Sequence, residues 1–271
     1  MFTVAGGTQM RRIGIQIYAK TGMDLEAYVK KISELGFNAT FTGVPAADRI
    51  PVFARVLKKY GIFWESMHAP FDGINSIWRQ GEEGDNMLGR LTDAVDACAT
   101  AAVPILVVHL SSGRTPPSIT DIGRERFAKL VDYAGEKGVK VAFENQRMLG
   151  NIAWAFEAFA DAPHVGFCYD TGHENCFTPG REYMPLFGKK LIFTHIHDNT
   201  GVFNKDEHMI PFDGNLDFDR VVRQLKESGY QGTLMLEVIA NHSDLYDDMA
   251  CETYLEKAAA AIKRLRDMVD G

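Results

Sequence analysis

Eight short apolar runs alternate with helix-like segments along this 271-residue chain. The runs are rich in Val, Ile, Leu and Phe, which is typical of strands buried on both faces of a parallel sheet. A strand followed by a helix, repeated eight times, predicts an α/β fold in which the sheet closes into a (β/α)8 TIM barrel. We predict one such domain over residues 1–271. The predicted strands are residues 12–18, 39–43, 62–69, 105–111, 139–146, 165–170, 191–197 and 233–238.

The segments between these runs carry signals for the ends of helices. Asp24 is a predicted N-cap of the first helix, Gly36 is its predicted C-terminal stop, and Asn151 is a predicted N-cap of the fifth. Residues 70–84 and 198–216 form long connections after strands three and seven, where they would shape or cover a pocket. The predicted helices are residues 24–35, 48–60, 85–102, 121–137, 151–161, 181–188, 217–228 and 245–269.

Composition and charge argue against several classes of protein. The formal net charge is −7, whereas proteins that bind duplex nucleic acid usually present a basic face. No apolar run approaches the roughly 20 residues that span a bilayer, and the first residues lack a secretory hydrophobic region. The four cysteines form no CxxC pair, which favours buried, reduced thiols. We therefore expect a cytoplasmic protein with neither nucleic acid nor membrane as a partner.

Metal-type ligands stand where four of the predicted strands end. Glu144 ends VKVAFE, Asp170 ends VGFCYD, His195 ends LIFTH, and Glu237 follows TLML. The C-terminal ends of barrel strands surround one pocket, so these side chains would converge there. Carboxylates and an imidazole together make a mixed oxygen and nitrogen site for a divalent cation. Taken singly, the glutamates also fit salt bridges at the barrel rim, and Asp170 also fits a helix cap.

Further polar residues occur in the same kind of position. Strands three and four end in histidines, the segment after strand six supplies another, and the loop after strand seven contains the sequence D-E-H. His195 and His197 lie two residues apart on a strand and therefore face the same side. We expect these further residues to contact substrate or to orient the metal ligands. They are His68, His109, His173, His197, Asp206 and His208.

Several short motifs, read together, resemble a known family. They are E-N at residues 144–145, D-T-G-H at 170–173, H-I-H-D-N at 195–199, D-E-H at 206–208 with G-N-L-D-F at 214–218, and L-E at 236–237. The chain is similar over its whole length to the xylose isomerase-like TIM barrel superfamily. That superfamily includes sugar phosphate isomerases and epimerases as well as class-two AP endonucleases.

The resemblance to the isomerase branch implies a metal site and a reaction. Glu144, Asp170, His195 and Glu237 would hold one divalent ion, Mn, Mg, Co or Zn, and the two glutamates would also be the catalytic acid/base pair. The expected function is a metal-dependent isomerase or epimerase of a sugar, a sugar phosphate or a cyclic polyol ketone, acting by proton transfer beside a carbonyl. The expected partner is a small carbohydrate, and a homo-oligomer remains open.

The same resemblance leaves two alternatives. The first is a zinc-dependent AP endonuclease, since nine positions offer the residue types for three zinc ions; they are His68, His109, Glu144, Asp170, His173, His195, Asp206, His208 and Glu237. The acidic net charge argues against it. The short loops after strands one and two also lack the cluster of Arg, Lys and aromatic residues that is needed to grip a kinked duplex. The second is a non-catalytic metal-binding or sugar-binding barrel, if the glutamates serve metal binding alone.

Other residues admit two interpretations each. Arg114 and Arg147 fit either as ligands for a phosphate or carboxylate, or as solvated loop arginines. Trp64, Trp78 and Phe203 fit either as an apolar wall for a sugar or, in particular Trp64, as core.

Overall fold

The computed structural model describes residues 10–271. Within them, eight strands form one sheet in the order β7-β6-β5-β4-β3-β2-β1-β8, with every neighbouring pair parallel. This arrangement confirms the predicted (β/α)8 barrel. The strands are β1 (Ile13–Ile15), β2 (Ala39–Gly43), β3 (Phe63–His68), β4 (Ile105–His109), β5 (Lys140–Glu144), β6 (Val165–Asp170), β7 (Leu191–His195) and β8 (Leu234–Leu236).

The barrel closes between β7 and β8 through residues at the C-terminal ends of these strands. Ile196 forms a parallel bridge with Leu236. The Ile196 amide donates to the Met235 carbonyl (2.8 Å), and the Glu237 amide donates to the Ile196 carbonyl (3.1 Å). This seam rests on a single bridge, and it lies at the end of the barrel where the predicted ligands stand.

The helices begin and end largely where local signals indicate. Asp24 accepts a hydrogen bond from the Ala27 amide (2.8 Å), which confirms it as the N-cap of the first helix. Gly36 follows that helix and has a φ of 88°. The helices of the described residues are α1 (Leu25–Glu34), α2 (Ile50–Lys59), α3 (Glu82–Ala101), α4 (Asp121–Glu136), α5 (Leu149–Ala158), α6 (Thr171–Phe177), α7 (Met184–Phe187), α8 (Phe218–Ser228) and α9 (Cys251–Asp270).

Five predicted helix starts differ from the structure by two residues or more. Helices α2, α3 and α7 begin at Ile50, Glu82 and Met184 rather than at residues 48, 85 and 181. Helix α5 begins two residues before the predicted start, with Met148 rather than Asn151 as its N-cap. Asn151 is buried within the helix, and its side-chain Nδ2 donates to the Ser111 hydroxyl (3.2 Å), so the side chain makes a tertiary contact instead of a cap. The last helix starts at Cys251 rather than at residue 245, because residues 240–246 form short 3-10 turns instead.

The core has two layers, one inside the barrel and one between the strands and the helices. On β4, Ile105 and Val107 point into the barrel, while Leu106 and Val108 pack outward. Gly14 makes room for a large interior side chain, since a Cβ there would lie 2.5 Å from the Met235 sulfur. The interior is therefore filled, and open space is left only towards the ends of the strands. None of the helices in residues 10–271 is long and apolar enough to cross a membrane.

Candidate metal centre and its cavity

Ligand-type side chains lie at the C-terminal ends of six consecutive strands. Glu237 directly follows β8, and in each of the other five strands the ligand is the last residue. The sheet register pairs His109 with Glu144 and Asp170 with His195 across neighbouring strands. The five terminal residues are His68, His109, Glu144, Asp170 and His195. Seven of the eight histidines of the chain lie at this mouth.

Four of these residues form a compact group that fits a divalent cation. Glu144, Asp170, His195 and Glu237 each offer one ligand atom, and all four atoms lie within 4.8 Å of one another. His195 Nδ1 lies 2.6 Å from Glu144 Oε1 and 3.1 Å from Glu237 Oε2. Three carboxylates and one imidazole, converging on one buried point, suit the oxygen and nitrogen preferences of Mn, Mg, Co or Zn.

Imidazoles control the charge of the two glutamates. Burial raises the pKa of Glu144, but the charge of His195 and the hydrogen bonds of His109 and His195 outweigh burial and hold the pKa well below its usual value. Burial likewise raises the pKa of Glu237, and His195 again more than reverses it. Burial lowers the pKa of His195, yet Cys168, Glu237 and Glu144 together hold it well above its usual value. Both glutamates are therefore ionised, and a cation would replace the His195 proton between them.

A second group surrounds Asp206 in the loop after β7. One ligand atom from each of His173, His197, Asp206 and His208 lies within 4.8 Å of the others. Asp206 Oδ2 lies 3.1 Å from His173 Nε2 and 3.0 Å from His208 Nε2. Burial lowers the pKa of both imidazoles, but nearby carboxylates overcome it and raise the pKa of His173 to about 10 and that of His208 to about 9.

Asp170 is held by several hydrogen bonds. Its side chain accepts from the His173 amide (2.6 Å), so it is also the N-cap of α6, as one of the two interpretations of its sequence position indicated. His197 Nε2 lies 3.0 and 3.1 Å from the two Asp170 oxygens, and the ring is fully buried. The Asn145 side chain bonds both the amide and the carbonyl of Asp170 (2.7 and 2.8 Å). These contacts fix the direction of the Asp170 carboxylate, as the neighbours of metal ligands commonly do.

Two more histidines approach Glu144 from the other side. His109 Nε2 lies 2.5 Å and His68 Nε2 lies 3.3 Å from Glu144 Oε2. Burial lowers the pKa of His109 to about 4, despite the nearby carboxylate, so its imidazole is neutral at pH 7. The structure thus brings all ten predicted site residues to one mouth, in three overlapping groups.

An open cavity of about 620 Å³ lies above these groups. Several of its lining residues had not been singled out from the sequence. Phe41 stacks on His195 at 4.7 Å between ring centroids, and Gln146 Nε2 lies 3.1 Å from both His109 Nε2 and His173 Nδ1. Gln146 follows Glu144 by two positions, so strand alternation did signal its direction. Phe71, Phe177 and His242 also line the cavity, and they come from loops and a helix that carry no such signal.

The tryptophans do not line this cavity. Trp64 packs on Phe53 with 5.8 Å between ring centroids, and Trp78 is 1 % exposed with its Nε1–H donating to the Leu110 carbonyl (2.7 Å). Their interpretation as an apolar wall for a sugar is therefore wrong, because packing against neighbouring elements draws both into the core. Phe203 is 64 % exposed and lines a neighbouring cavity. The four cysteines are buried and free.

Comparison with known proteins agrees with the observed barrel fold. Residues 29–268 match the family model described as xylose isomerase-like TIM barrel. The chain belongs to this family. It is 34 % identical over 251 residues to the uncharacterized protein y4fM of Sinorhizobium fredii, covering 79 % of this chain and 78 % of the relative.

Several solved structures with this fold are named as sugar epimerases or as similar to one. D-psicose 3-epimerase from Clostridium cellulolyticum H10 has a TM-score of 0.78 at 15 % identity, covering 95 % of this chain and 99 % of the other. A D-tagatose 3-epimerase-like protein has a TM-score of 0.74 at 21 % identity, covering 96 % and 98 %. At these identities the likeness establishes the shared barrel.

Proposed function

We propose that this family member is a divalent-metal-dependent isomerase or epimerase that acts on a small carbohydrate by moving a proton beside its carbonyl. The observation that carries the proposal is the pair formed by Glu144 and Glu237. The two carboxylates stand on different strands, face the same atom of His195 at 2.6 and 3.1 Å, and are both ionised at the floor of the cavity.

The donor set fits a cation, and the chemistry that a cation supplies suits this reaction. A divalent ion held by Glu144, Asp170, His195 and Glu237 would polarise the substrate carbonyl and stabilise the negative charge of the enediolate. His197 and Asn145 hold Asp170 in place. The residues that would bind the ion and the residues that orient them all lie at the same mouth of the barrel.

The glutamates are suited to move the proton. An ionised carboxylate accepts a proton from the carbon beside the carbonyl, and the protonated acid then returns it to a neighbouring atom. Because Glu144 and Glu237 stand on β5 and just after β8, they reach the substrate from different directions. For epimerisation, one carboxylate would remove the proton from one face of the carbon and later release it to solvent, while the other would take up a proton from water and deliver it to the opposite face.

Solvent isotope exchange tests this proposal. Metal-loaded protein is incubated in heavy water with ketoses, aldoses, cyclic polyol ketones and their phosphates, and deuterium should enter at the carbon beside the carbonyl. The E144Q and E237Q variants should lose this exchange. E65Q is the matched control, because Glu65 is also a buried carboxylate but bonds Thr233 at the opposite end of the barrel. Exchange in E144Q and E237Q at the parental rate would refute the acid/base assignment.

One observation favours a second candidate, a zinc-dependent endonuclease. The second group around Asp206 and the pair formed by His68 and His109 supply ligands beyond those that one ion needs. The isomerase proposal expects one ion per chain, with these residues contacting substrate. Close to three zinc ions per chain, together with cleavage of a duplex that carries an abasic site, would favour the endonuclease instead. Metal binding with neither reaction would favour a non-catalytic barrel.

A further inference from the structure

A second cavity of about 460 Å³ adjoins the mouth described above. Its walls include two arginines, Arg114 and Arg147, and two aromatic rings, Phe177 and Phe203. Arg147 and Phe177 also line the larger cavity, so the two spaces share a wall. The second cavity therefore lies directly beside the cavity above the metal ligands.

Arg147 is held firmly but its charge is not neutralised. Its Nε–H donates to the side-chain oxygen of Asn204 (2.7 Å), and its guanidinium carbon lies 3.5 Å from the centroid of the Phe177 ring. Both partners are uncharged. These contacts fix the plane of the guanidinium while leaving the outer N–H groups, which bind oxyanions in pairs, free of Asn204.

Phe177 connects this arginine to the candidate metal centre. The Phe177 ring stacks on His173 with 4.6 Å between centroids and an angle of 18° between planes. Since one face of a ring cannot carry both planar groups, His173 and Arg147 lie on opposite faces of Phe177. The Phe177 ring therefore lies between the guanidinium and His173, a member of the second ligand group.

The second cavity concentrates positive charge. Burial lowers the pKa of Arg147, and the nearby charge of Arg114 lowers it further, although Asp206 and Cys176 oppose this. Among the described residues no carboxylate oxygen lies within 4.0 Å of either guanidinium. Helix α5 begins immediately behind, with Met148 as an N-cap whose side chain satisfies none of the first amides. Two unneutralised cations beside a helix N-terminus favour an anionic ligand.

We propose that this second cavity is a subsite for an oxyanion group of the substrate, a phosphate or a carboxylate, carried on the end of the sugar remote from the metal ligands. The inference rests on the proposed function for the identity of the ligand as a carbohydrate. It assigns Arg114 and Arg147 to substrate selection and gives them no part in the proton transfer.

The test compares three probes that differ in one terminal group: a ketohexose, its 6-phosphate and the corresponding ketohexuronate. Dissociation constants are measured by calorimetry with the metal-loaded parent and with R114Q, R147Q and the double variant. At least one charged probe should bind the parent roughly tenfold more tightly than the neutral sugar. The arginine variants should lose that advantage, so that they bind the charged probe no more tightly than the neutral sugar. R223Q is the matched control, because Arg223 is exposed on α8 and lines neither cavity.

The outcomes separate the sources of the anion and the two proposals. Tighter binding of the 6-phosphate alone identifies sugar phosphates, and tighter binding of the ketohexuronate alone identifies sugar acids. Equal binding of all three probes, or a charge preference that survives in the double variant, overturns the subsite. Arg114 is exposed, so R114Q reports on binding without a risk to folding. Arginine-dependent binding without isotope exchange would support the subsite and refute the proton transfer. Isotope exchange without a preference for charged probes would support the proton transfer and refute the subsite.

Discussion

Replacing Gly172 with alanine tests whether His197 positions Asp170. A Cβ at residue 172 would lie 2.0 Å from His197 Cε1 and 2.4 Å from its Nδ1, where ordinary contacts begin at 3.4 Å. The imidazole must therefore move by roughly 1 Å or more. Gly172 lies in α6 without a positive φ, so the backbone itself accommodates alanine. The three atoms nearest to the added Cβ all belong to the His197 ring.

The expected effect follows from the contacts that this movement breaks. His197 Nε2 would leave the Asp170 oxygens, now at 3.0 and 3.1 Å. A buried hydrogen bond to a charged group is worth about 1.5–3 kcal/mol, and overpacking costs about 1–3 kcal/mol. We expect the free energy of unfolding of G172A to fall by about 2.5–6 kcal/mol. We also expect metal affinity to fall by about 10- to 100-fold, as when a group that orients a ligand is lost.

Two measurements and one control separate these effects. Urea unfolding of the metal-free proteins gives the stability, and competition with a fluorescent chelator gives the metal affinity. Gly150→Ala is the control, since a Cβ there meets no atom within 4 Å and the residue lies in the first turn of α5. Parental metal affinity in a destabilised G172A would show that His197 does not orient Asp170. Parental values for both quantities would refute the whole argument.

Three further predictions follow from other contacts. Gly123→Ala should lower the free energy of unfolding by about 1–3 kcal/mol in urea and leave metal affinity unchanged, because a Cβ there would lie 2.0 Å from the Trp78 ring in the core; an effect on metal alone would contradict this. The raised pKa values of His173 (about 10) and His208 (about 9) stabilise the metal-free protein fully below the ordinary imidazole pKa of about 6.5, and this stabilisation is lost as pH rises through 9 and 10. The melting temperature of metal-free protein should therefore fall from pH 7 to pH 10, and a constant value would count against these charge pairs. Glu237→Gln should sharply lower the metal content after dialysis, since it removes a charged donor; content equal to the parent's would remove residue 237 from the site.

The barrel and the convergence of its strand ends were predictable because their signals are local. A run such as VKVAFE states both that a buried strand exists and where it ends, and barrel geometry then gathers such ends into one pocket. Asp24 was predictable for the same reason, since a cap is satisfied within its own turn.

Contacts between distant segments were not predictable in this way. From the sequence, Asn151 looks like a helix cap, but its side-chain amide nitrogen donates to the hydroxyl of Ser111, forty residues away. From the sequence, Trp78 looks available for a ligand, but the absence of a Cβ at Gly123 on another helix leaves room for its ring in the core. The bond from Arg147 to Asn204 joins residues 57 positions apart, and nothing near either residue announces it. Such pairings depend on how loops fold over the barrel, and a single sequence carries no pattern for that.

The single bridge between β7 and β8 affects how the barrel opens locally. His195 ends β7 and Glu237 follows β8, so an ion bound by both residues would link these two strands where the barrel closes. Backbone amides at Ile196 and Glu237 would then exchange with solvent most readily in the metal-free state and become protected on loading. Closure of the barrel and binding of the ion would thus be one cooperative event, and the interactions that bind the ion would also keep the barrel closed.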